Sequence, residues 1–262
     1  MTPTLVFDIE TIPDVAGLRR LHADDPVWTG DDAAIAELAF AARRAKGGSD
    51  FLQHHLHRIC AISCVFRDEN GLRVRSLGSP EDTEAKLISQ FFGIIDRFQP
   101  QLVSWNGGGF DLPVLNYRAL INGVPASRYW DWGDDDRDYK YNNYLSRYHT
   151  RHVDLMDVLA MFTGRANAPL DDMAKLCGFP GKLGMDGSQV WKTFCDGGID
   201  QIRAYCETDV MNTWLVWCRF QLMRGSMSPE AYEGEVELAR STLLPLAESG
   251  AVHWREYLSA WS

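Results

Sequence analysis

Short apolar runs bounded by turn residues recur along the chain, and such runs are typical of buried strands. The first run, from Thr4 to Glu10, ends shortly before Pro13, which cannot continue a hydrogen-bonded central strand. The turn Glu69-Asn70-Gly71 separates the next two runs, since an Asn-Gly pair favours a tight hairpin. We predict five strands, at about residues 4–10, 57–68, 72–77, 102–105 and 153–155.

Apolar residues at helical spacing occupy much of the remaining chain. Leu87, Phe91 and Ile95 recur at four-residue intervals after Ser79-Pro80-Glu81-Asp82, which we interpret as a helix start. The predicted helices lie at about 31–46, 79–98, 110–122, 199–223, 228–243 and 251–261. This order of elements predicts an α/β fold with a mixed five-stranded sheet flanked by helices. We expect one domain over residues 1–262, with a core at about 4–223 and a C-terminal helical appendage at about 226–262.

The composition is that of a globular protein. The chain has 262 residues, of which 45% are hydrophobic, so it can bury a core without disulfides. Its six cysteines contain no C-x-x-C pair and are expected to be reduced thiols. Apolar runs long enough to span a membrane are lacking, as is a secretory signal pattern at the N-terminus. We therefore expect a cytoplasmic protein that does not bind membranes.

The net charge of −10 narrows the possible nucleic-acid partners. A protein that coats long stretches of DNA needs many lysines and arginines to neutralise phosphates, and this chain does not offer that excess. An enzyme that grips only a strand end remains compatible with the charge, because bound cations reverse the field around a carboxylate cluster.

Two carboxylates interrupt the first apolar run. Side chains alternate along a strand, so Asp8 and Glu10 point to the same face. Two like charges on a buried strand are destabilising unless a cation neutralises them, and Mg²⁺ or Mn²⁺ prefers such oxygen ligands. The alternative is that both acids lie at the solvated end of the strand.

Two further acids stand in distinctive surroundings. Asp111 follows a strand end and three glycines, in the order Asn106-Gly-Gly-Gly-Phe110-Asp111, where a helix-terminal acid after a plain loop is the simpler alternative. Tyr205 and Asp209 are four residues apart on the longest predicted helix and share a face close to its apolar stripe. The alternative places Tyr205 in the core and Asp209 in solvent.

In this order, Phe7-Asp8-Ile9-Glu10-Thr11, Asn106 to Asp111 and Tyr205-x-x-x-Asp209 resemble the three motifs of DEDDy 3′→5′ exonucleases, which include the proofreading domain of family-B DNA polymerases. The resemblance is strongest to stand-alone bacterial proteins described as predicted 3′→5′ exonucleases related to that domain. It covers roughly residues 4–220 and implies a ribonuclease-H-like fold.

The resemblance also implies chemistry and partners. Two Mg²⁺ or Mn²⁺ ions would serve hydrolysis at the 3′ end of nucleic acid, with single-stranded DNA and RNA both open as substrates. Tyr205 would orient the attacking water. The implied metal ligands are Asp8, Glu10, Asp111 and Asp209, and the implied substrate contacts are Thr11, Asn106 and Phe110. The alternatives are a catalytically silent module of the same fold, which binds nucleic acid or a protein, and a ribonuclease-H-type endonuclease.

Other candidates carry weaker signals. His54, His55 and His57 are expected in a solvated loop rather than a metal site, since no cysteine or carboxylate has matching spacing. Asp154 could either approach the site or cap a helix. Residues 128–152 interleave aromatic and basic side chains, which suits single-stranded nucleic acid, but aspartates dilute the charge and a packed surface loop is the alternative. Lys182 to Gln189 is a second candidate for strand contact.

Overall fold

The computed structural model describes residues 2–261, which fold around a mixed five-stranded sheet with the strand order β3-β2-β1-β4-β5. The strands are β1 (Thr4–Pro13), β2 (His57–Asp68), β3 (Gly71–Ser76), β4 (Gln101–Ser104) and β5 (His152–Asp154). The pairings β1–β2 and β2–β3 are antiparallel, whereas β1–β4 and β4–β5 are parallel. The predicted mixed sheet is confirmed, and β1 lies at its centre.

Helices flank both faces of the sheet. They are α1 (Val15–Leu21), α2 (Asp32–Gly47), α3 (Glu84–Phe98), α4 (Asp111–Asn122), α5 (Leu155–Leu159), α6 (Leu170–Leu176), α7 (Val190–Cys195), α8 (Ile199–Met223), α9 (Pro229–Glu248) and α10 (Val252–Ala260). No helix within residues 2–261 combines the length and apolar character needed to cross a bilayer.

Several element boundaries differ from the predicted ones for local reasons. α3 begins at Glu84 rather than near Pro80, because the Thr83 side chain accepts the amide hydrogen of Lys86 and caps the helix. β1 continues to Pro13 through a register shift between Glu10 and Thr11, where the predicted strand ended at Glu10. α1 was not predicted, since its seven residues are too few to show a clear helical period.

The alternation of side chains along β1 divides the core in two. Leu5, Phe7 and Ile9 pack with α3 and α4 on one face. Val6 packs on the opposite face with residues of α8, α9 and α10. Asp8 and Glu10 lie two and four positions after Val6, so their side chains point to the same face as Val6. β1 therefore carries its two carboxylates on the face that α8 covers.

A buried arginine ties α4 to the rest of the fold. Arg118 donates to Asp14 at 2.5 Å and to both carboxylate oxygens of Glu84 at 2.8 and 2.6 Å. Glu84 also accepts the backbone amide of Ile59 on β2, at 2.7 Å. Removing either acid would leave a charge buried without its full set of partners, which is strongly destabilising. This network therefore fixes the helix that begins at Asp111.

Candidate active site

Carboxylates from three separate elements converge at the carboxyl ends of the parallel strands. Asp8 on β1, Asp111 at the start of α4 and Asp209 on α8 line one cleft of about 470 Å³. Glu10 adjoins Asp8, and side-chain atoms of these two acids and of Cys206 lie within 4.8 Å of one another. The four acids predicted from the sequence are thus brought together.

Backbone geometry explains this convergence. The face of β1 that carries Asp8 and Glu10 is covered by α8, and Cys206 of α8 lies with its sulfur 3.5 Å from Asp8 Oδ2. The Ile9 amide donates to Asp111 Oδ1 at 3.0 Å, which holds the first turn of α4 against β1. Each acid is therefore positioned by an element that the hydrophobic core orients.

Burial and mutual repulsion disfavour the charged forms of these acids. Burial, followed by the carboxylates of Asp111 and Asp209, raises the pKa of Asp8 well above its usual range. Burial and the neighbouring Asp8 raise the pKa of Glu10 in the same way. For Asp111, burial raises the pKa to about 7. Burial also raises the pKa of Asp209, although Lys182 opposes the shift.

The donor set fits a divalent cation. Asp209 Oδ1 is buried and has no hydrogen-bond partner within residues 2–261, an arrangement that is costly unless a ligand supplies one. Mg²⁺ and Mn²⁺ take carboxylate oxygens, and a cation would reverse the unfavourable effect of several close acids. The four acids and the unpartnered oxygen together match what such an ion requires.

Lys182 lies among these acids, whereas the sequence marks it only as part of a segment, Lys182 to Gln189, that could contact a strand. Its ammonium group lies 3.4 Å from Asp209 Oδ2 and donates to the Tyr205 hydroxyl at 2.5 Å. Burial opposes the charge on Lys182, but the carboxylates of Asp209, Glu10 and Asp8 outweigh it and raise its pKa. Lys182 is therefore a fixed cation within the acidic cleft.

A buried asparagine of α8 holds the segment that carries Lys182. Asn212 donates from Nδ2 to the Gly181 carbonyl at 2.9 Å and accepts the Gly181 amide at 3.3 Å. The Tyr257 hydroxyl of α10 donates to the same Asn212 oxygen at 2.7 Å. Asp171 accepts the Lys182 amide at 2.7 Å. The C-terminal helix thus braces, through Asn212, the loop that delivers Lys182.

Tyr205 does not line this cleft but lines a second pocket, together with Leu183 and Thr208. Its side chain is buried, and burial together with the carboxylates of Asp209 and Glu10 raises its pKa above the usual range. The phenol is therefore protonated at neutral pH. Because Lys182 donates to the phenol oxygen, the phenolic hydrogen is directed to another acceptor, and the carboxylate of Asp209 is within its reach.

Asp154 shapes the glycine-rich loop between β4 and α4. Its two carboxylate oxygens accept the amides of Asn106 and Gly108, each at 2.9 Å, and one of them also accepts the Asp157 amide at the start of α5. Both roles proposed from the sequence are therefore present, since Asp154 caps a helix and approaches the site through the loop backbone. Asn106, which lines the cleft, has the left-handed φ of 65°.

The histidine cluster supports Phe110, which lines the cleft. The rings of His54 and His57 lie 5.7 and 5.1 Å from the Phe110 ring, and His54 Nε2 lies 2.9 Å from the Gly109 carbonyl. His57 is buried rather than solvated, and burial lowers its pKa to about 4. Thr11 does not line the cleft, because it lies beyond the register shift of β1 with its hydroxyl 2.8 Å from His57 Nδ1.

A family described as a predicted 3′-5′ exonuclease related to the exonuclease domain of PolB matches residues 49–261. The match includes Asp111, Tyr205, Asp209 and the C-terminal helices, whereas the acids of β1 lie before it. It extends beyond residue 220, where the sequence resemblance was expected to end.

The fold is also similar to that of a solved polymerase, the family B DNA polymerase from the hyperthermophilic archaeon Pyrobaculum calidifontis. The TM-score is 0.50 at 18% sequence identity, over 95% of this chain and 29% of the polymerase chain. The likeness concerns the fold, and it confirms the predicted ribonuclease-H-like architecture of a polymerase exonuclease domain. Comparison with curated proteins gives no match.

Proposed function

Because the chain belongs to the family of predicted 3′-5′ exonucleases related to the exonuclease domain of PolB, we propose that it hydrolyses phosphodiester bonds at the 3′ end of single-stranded nucleic acid. The observation that carries this proposal is the cleft in which Asp8, Asp111 and Asp209 meet although burial disfavours their charged forms. A fold without a cation to bind would gain by replacing these acids.

The metal ligands in this proposal are Asp8, Glu10, Asp111 and Asp209. A pair of Mg²⁺ or Mn²⁺ ions bound there would supply an activated water and would neutralise charge on the departing 3′ oxygen. The unpartnered Oδ1 of Asp209 is the atom with most to gain from such binding.

Two neighbouring groups orient the reacting atoms. Tyr205 keeps its proton at neutral pH and is a poor general base, so it acts as a hydrogen-bond donor that positions the water. Lys182 fixes the phenol and places a positive charge where phosphate oxygens would enter the cleft. Preorganised charges of this kind stabilise the negative charge that develops at the phosphate.

The remaining lining of the cleft suits a terminal nucleotide. Phe110 offers an aromatic side chain for stacking, and Asn106 offers an amide on a loop that Asp154 holds rigidly. Bases stack on aromatic side chains only when they are released from a duplex, so this lining favours a single strand. Thr11 would act through His57 and the backbone of β1 rather than by direct contact.

Release of mononucleotides from 5′-labelled DNA and RNA, single- and double-stranded, tests the proposal. We expect digestion of single strands with Mg²⁺ or Mn²⁺ and none with chelator. Asp8→Asn and Asp209→Asn should abolish digestion, whereas Asp200→Asn, an exposed acid of the same helix α8, should leave it unchanged.

Calorimetric titration with Mn²⁺ separates catalysis from a binding-only role. Binding that is lost in Asp209→Asn and retained in Asp200→Asn would support the metal site. An intact strand and no heat of binding at millimolar Mn²⁺ would contradict the proposal and would favour a catalytically silent module. Cutting of a circular single strand would favour an endonuclease instead.

A further inference from the structure

An exposed apolar turn borders the cleft. Residues 160–163 follow α5 and lead into the short turn Gly164–Ala166. Met161 is 79% exposed and Phe162 is 37% exposed. Met156, before this turn, and Asn167, after it, both line the cleft. The turn is therefore joined to the cleft wall at each of its ends.

The backbone of this turn is strained. Met161 and Phe162 have φ values of 53° and 58°, a left-handed conformation that L-residues with large side chains rarely adopt. The amide of Phe162 donates to the Asp157 carbonyl at 2.8 Å, and that of Met161 to the Val158 carbonyl at 3.1 Å, which hold the conformation. Strain and exposed apolar surface both oppose stability, so folding alone does not explain this turn.

The side chains around the turn combine aromatic rings with guanidinium groups. The ring of Tyr148, which is 74% exposed, lies edge-on to Phe162 with 5.2 Å between the ring centroids. Arg147 lies 5.1 Å from the Phe162 ring centroid and pairs with Asp157. Arg165 is exposed, and within residues 2–261 no carboxylate pairs with it.

We propose that Tyr148, Met161, Phe162 and Arg165, called the stacking surface below, bind the part of a single strand that lies 5′ of the terminal nucleotide. Bases would stack on the two exposed rings, and Arg165 would contact a phosphate. In a chain with a net charge of −10, a cation without an acidic partner beside the cleft is suited to a polyanion. The inference rests on the proposed function, because it assumes that the strand end occupies the cleft.

The aromatic stretch 128–152 offers a matched comparison, since much of it is structural. Tyr129, Tyr139 and Tyr144 are buried in the core. Tyr141 is 75% exposed and has Lys140 Nζ at 6.0 Å from its ring centroid, so its surroundings resemble those of Tyr148. It follows the turn Arg137–Lys140, which is attached to the opposite end of β4 from the cleft through the bond of Tyr139 to Gln99 at 3.1 Å.

Binding of a 5′-fluorescein-labelled strand of about twelve nucleotides, comparable to the upper range of single-strand sites, tests the inference by anisotropy. A phosphorothioate at the last linkage slows cleavage during the measurement. We expect Tyr148→Ala to raise the Kd about tenfold, the loss of one stacked base. Arg165→Gln should reduce the slope of log Kd against log salt by about one. The controls are Tyr141→Ala and Arg137→Gln.

A competing dinucleotide, which contains one phosphodiester, should bind all these variants with equal affinity. The inference is overturned if Tyr148→Ala binds the long strand as tightly as Tyr141→Ala, or if the dinucleotide loses affinity to the same extent. Failure of the proposed function would look different, because the wild-type protein would then release no nucleotide from an unmodified strand whatever the binding result.

Discussion

Replacing Asn212 with alanine should lower turnover by releasing Lys182, with the carboxylates left in place. Asn212 is fully buried and makes three hydrogen bonds, two to the backbone of Gly181 and one to Tyr257. Gly181 precedes Lys182 directly, so its two bonds to α8 set where the lysine side chain begins. Loss of these bonds frees the loop and moves the ammonium group away from Tyr205.

The magnitude follows from the bonds removed. Three buried hydrogen bonds at about 1 kcal/mol each lower the free energy of unfolding by about 3 kcal/mol. For a chain of this length that corresponds to a fall in Tm of about 10 °C. Turnover should fall by at most the loss caused by Lys182→Met, which we place at about 100-fold by analogy with removal of one preorganised donor.

A double-mutant cycle measured by nucleotide release below the Tm of every variant tests this coupling. If Asn212 acts through Lys182, then Asn212→Ala should not lower kcat further in the Lys182→Met background. Tyr257→Phe removes only one of the three bonds and should lower kcat by a smaller factor. It keeps the coupling testable even if the alanine variant misfolds. Multiplicative losses of kcat in the cycle would refute the reasoning.

Two further predictions concern metal and the glycine-rich loop. Burial raises the pKa of folded Asp111 to about 7, so its contribution to stability is full below its unfolded pKa and is lost as pH rises through the folded value. With chelator the Tm should therefore fall between about pH 4 and about pH 7, and Mg²⁺ should restore it most at the upper end of this range. A metal effect that is largest at low pH would contradict this. Gly107→Ala should lower the Tm, since its added Cβ would lie 2.5 Å from Ser104 Cβ. Ser104→Gly also removes the bond of Ser104 Oγ to His152 Nε2 at 2.8 Å, so the double variant should lose less Tm than the two single losses added together, and additive losses would exclude that contact as the cause.

Three acids of the candidate site could be predicted because each conflicts with its local surroundings. A carboxylate in the apolar run of β1, or beside the apolar stripe of α8, lowers stability unless something compensates for it. Asp8, Glu10 and Asp209 are conspicuous in the sequence for this reason. The strands of the sheet could also be predicted, because the alternation of side chains and the turn residues that mark a strand are visible within a few neighbouring positions.

The supporting residues create no such conflict, and their positions depend on tertiary contacts. A lysine after a glycine, as at Lys182, and an asparagine within a helix, as at Asn212, are ordinary surface patterns in sequence. Nothing in the order of residues indicates that Asn212 meets Gly181, thirty-one positions earlier, in the core. The sequence predicts a solvated His57 for the same reason, whereas contacts with Phe110 and Leu52 bury it.

Asp8 and Glu10 lie before residue 49, where the family match begins, so the evidence for their place comes from the sheet. β1 is the central strand, paired with β2 along its whole length and with β4 at its start. A shift of one residue in this register would turn Asp8 and Glu10 away from α8 and bring Phe7 and Ile9 to the cleft. Burial of Leu5, Phe7 and Ile9 against α3 and α4 opposes that shift, so the same apolar side chains that stabilise the core also keep the carboxylates facing Asp209.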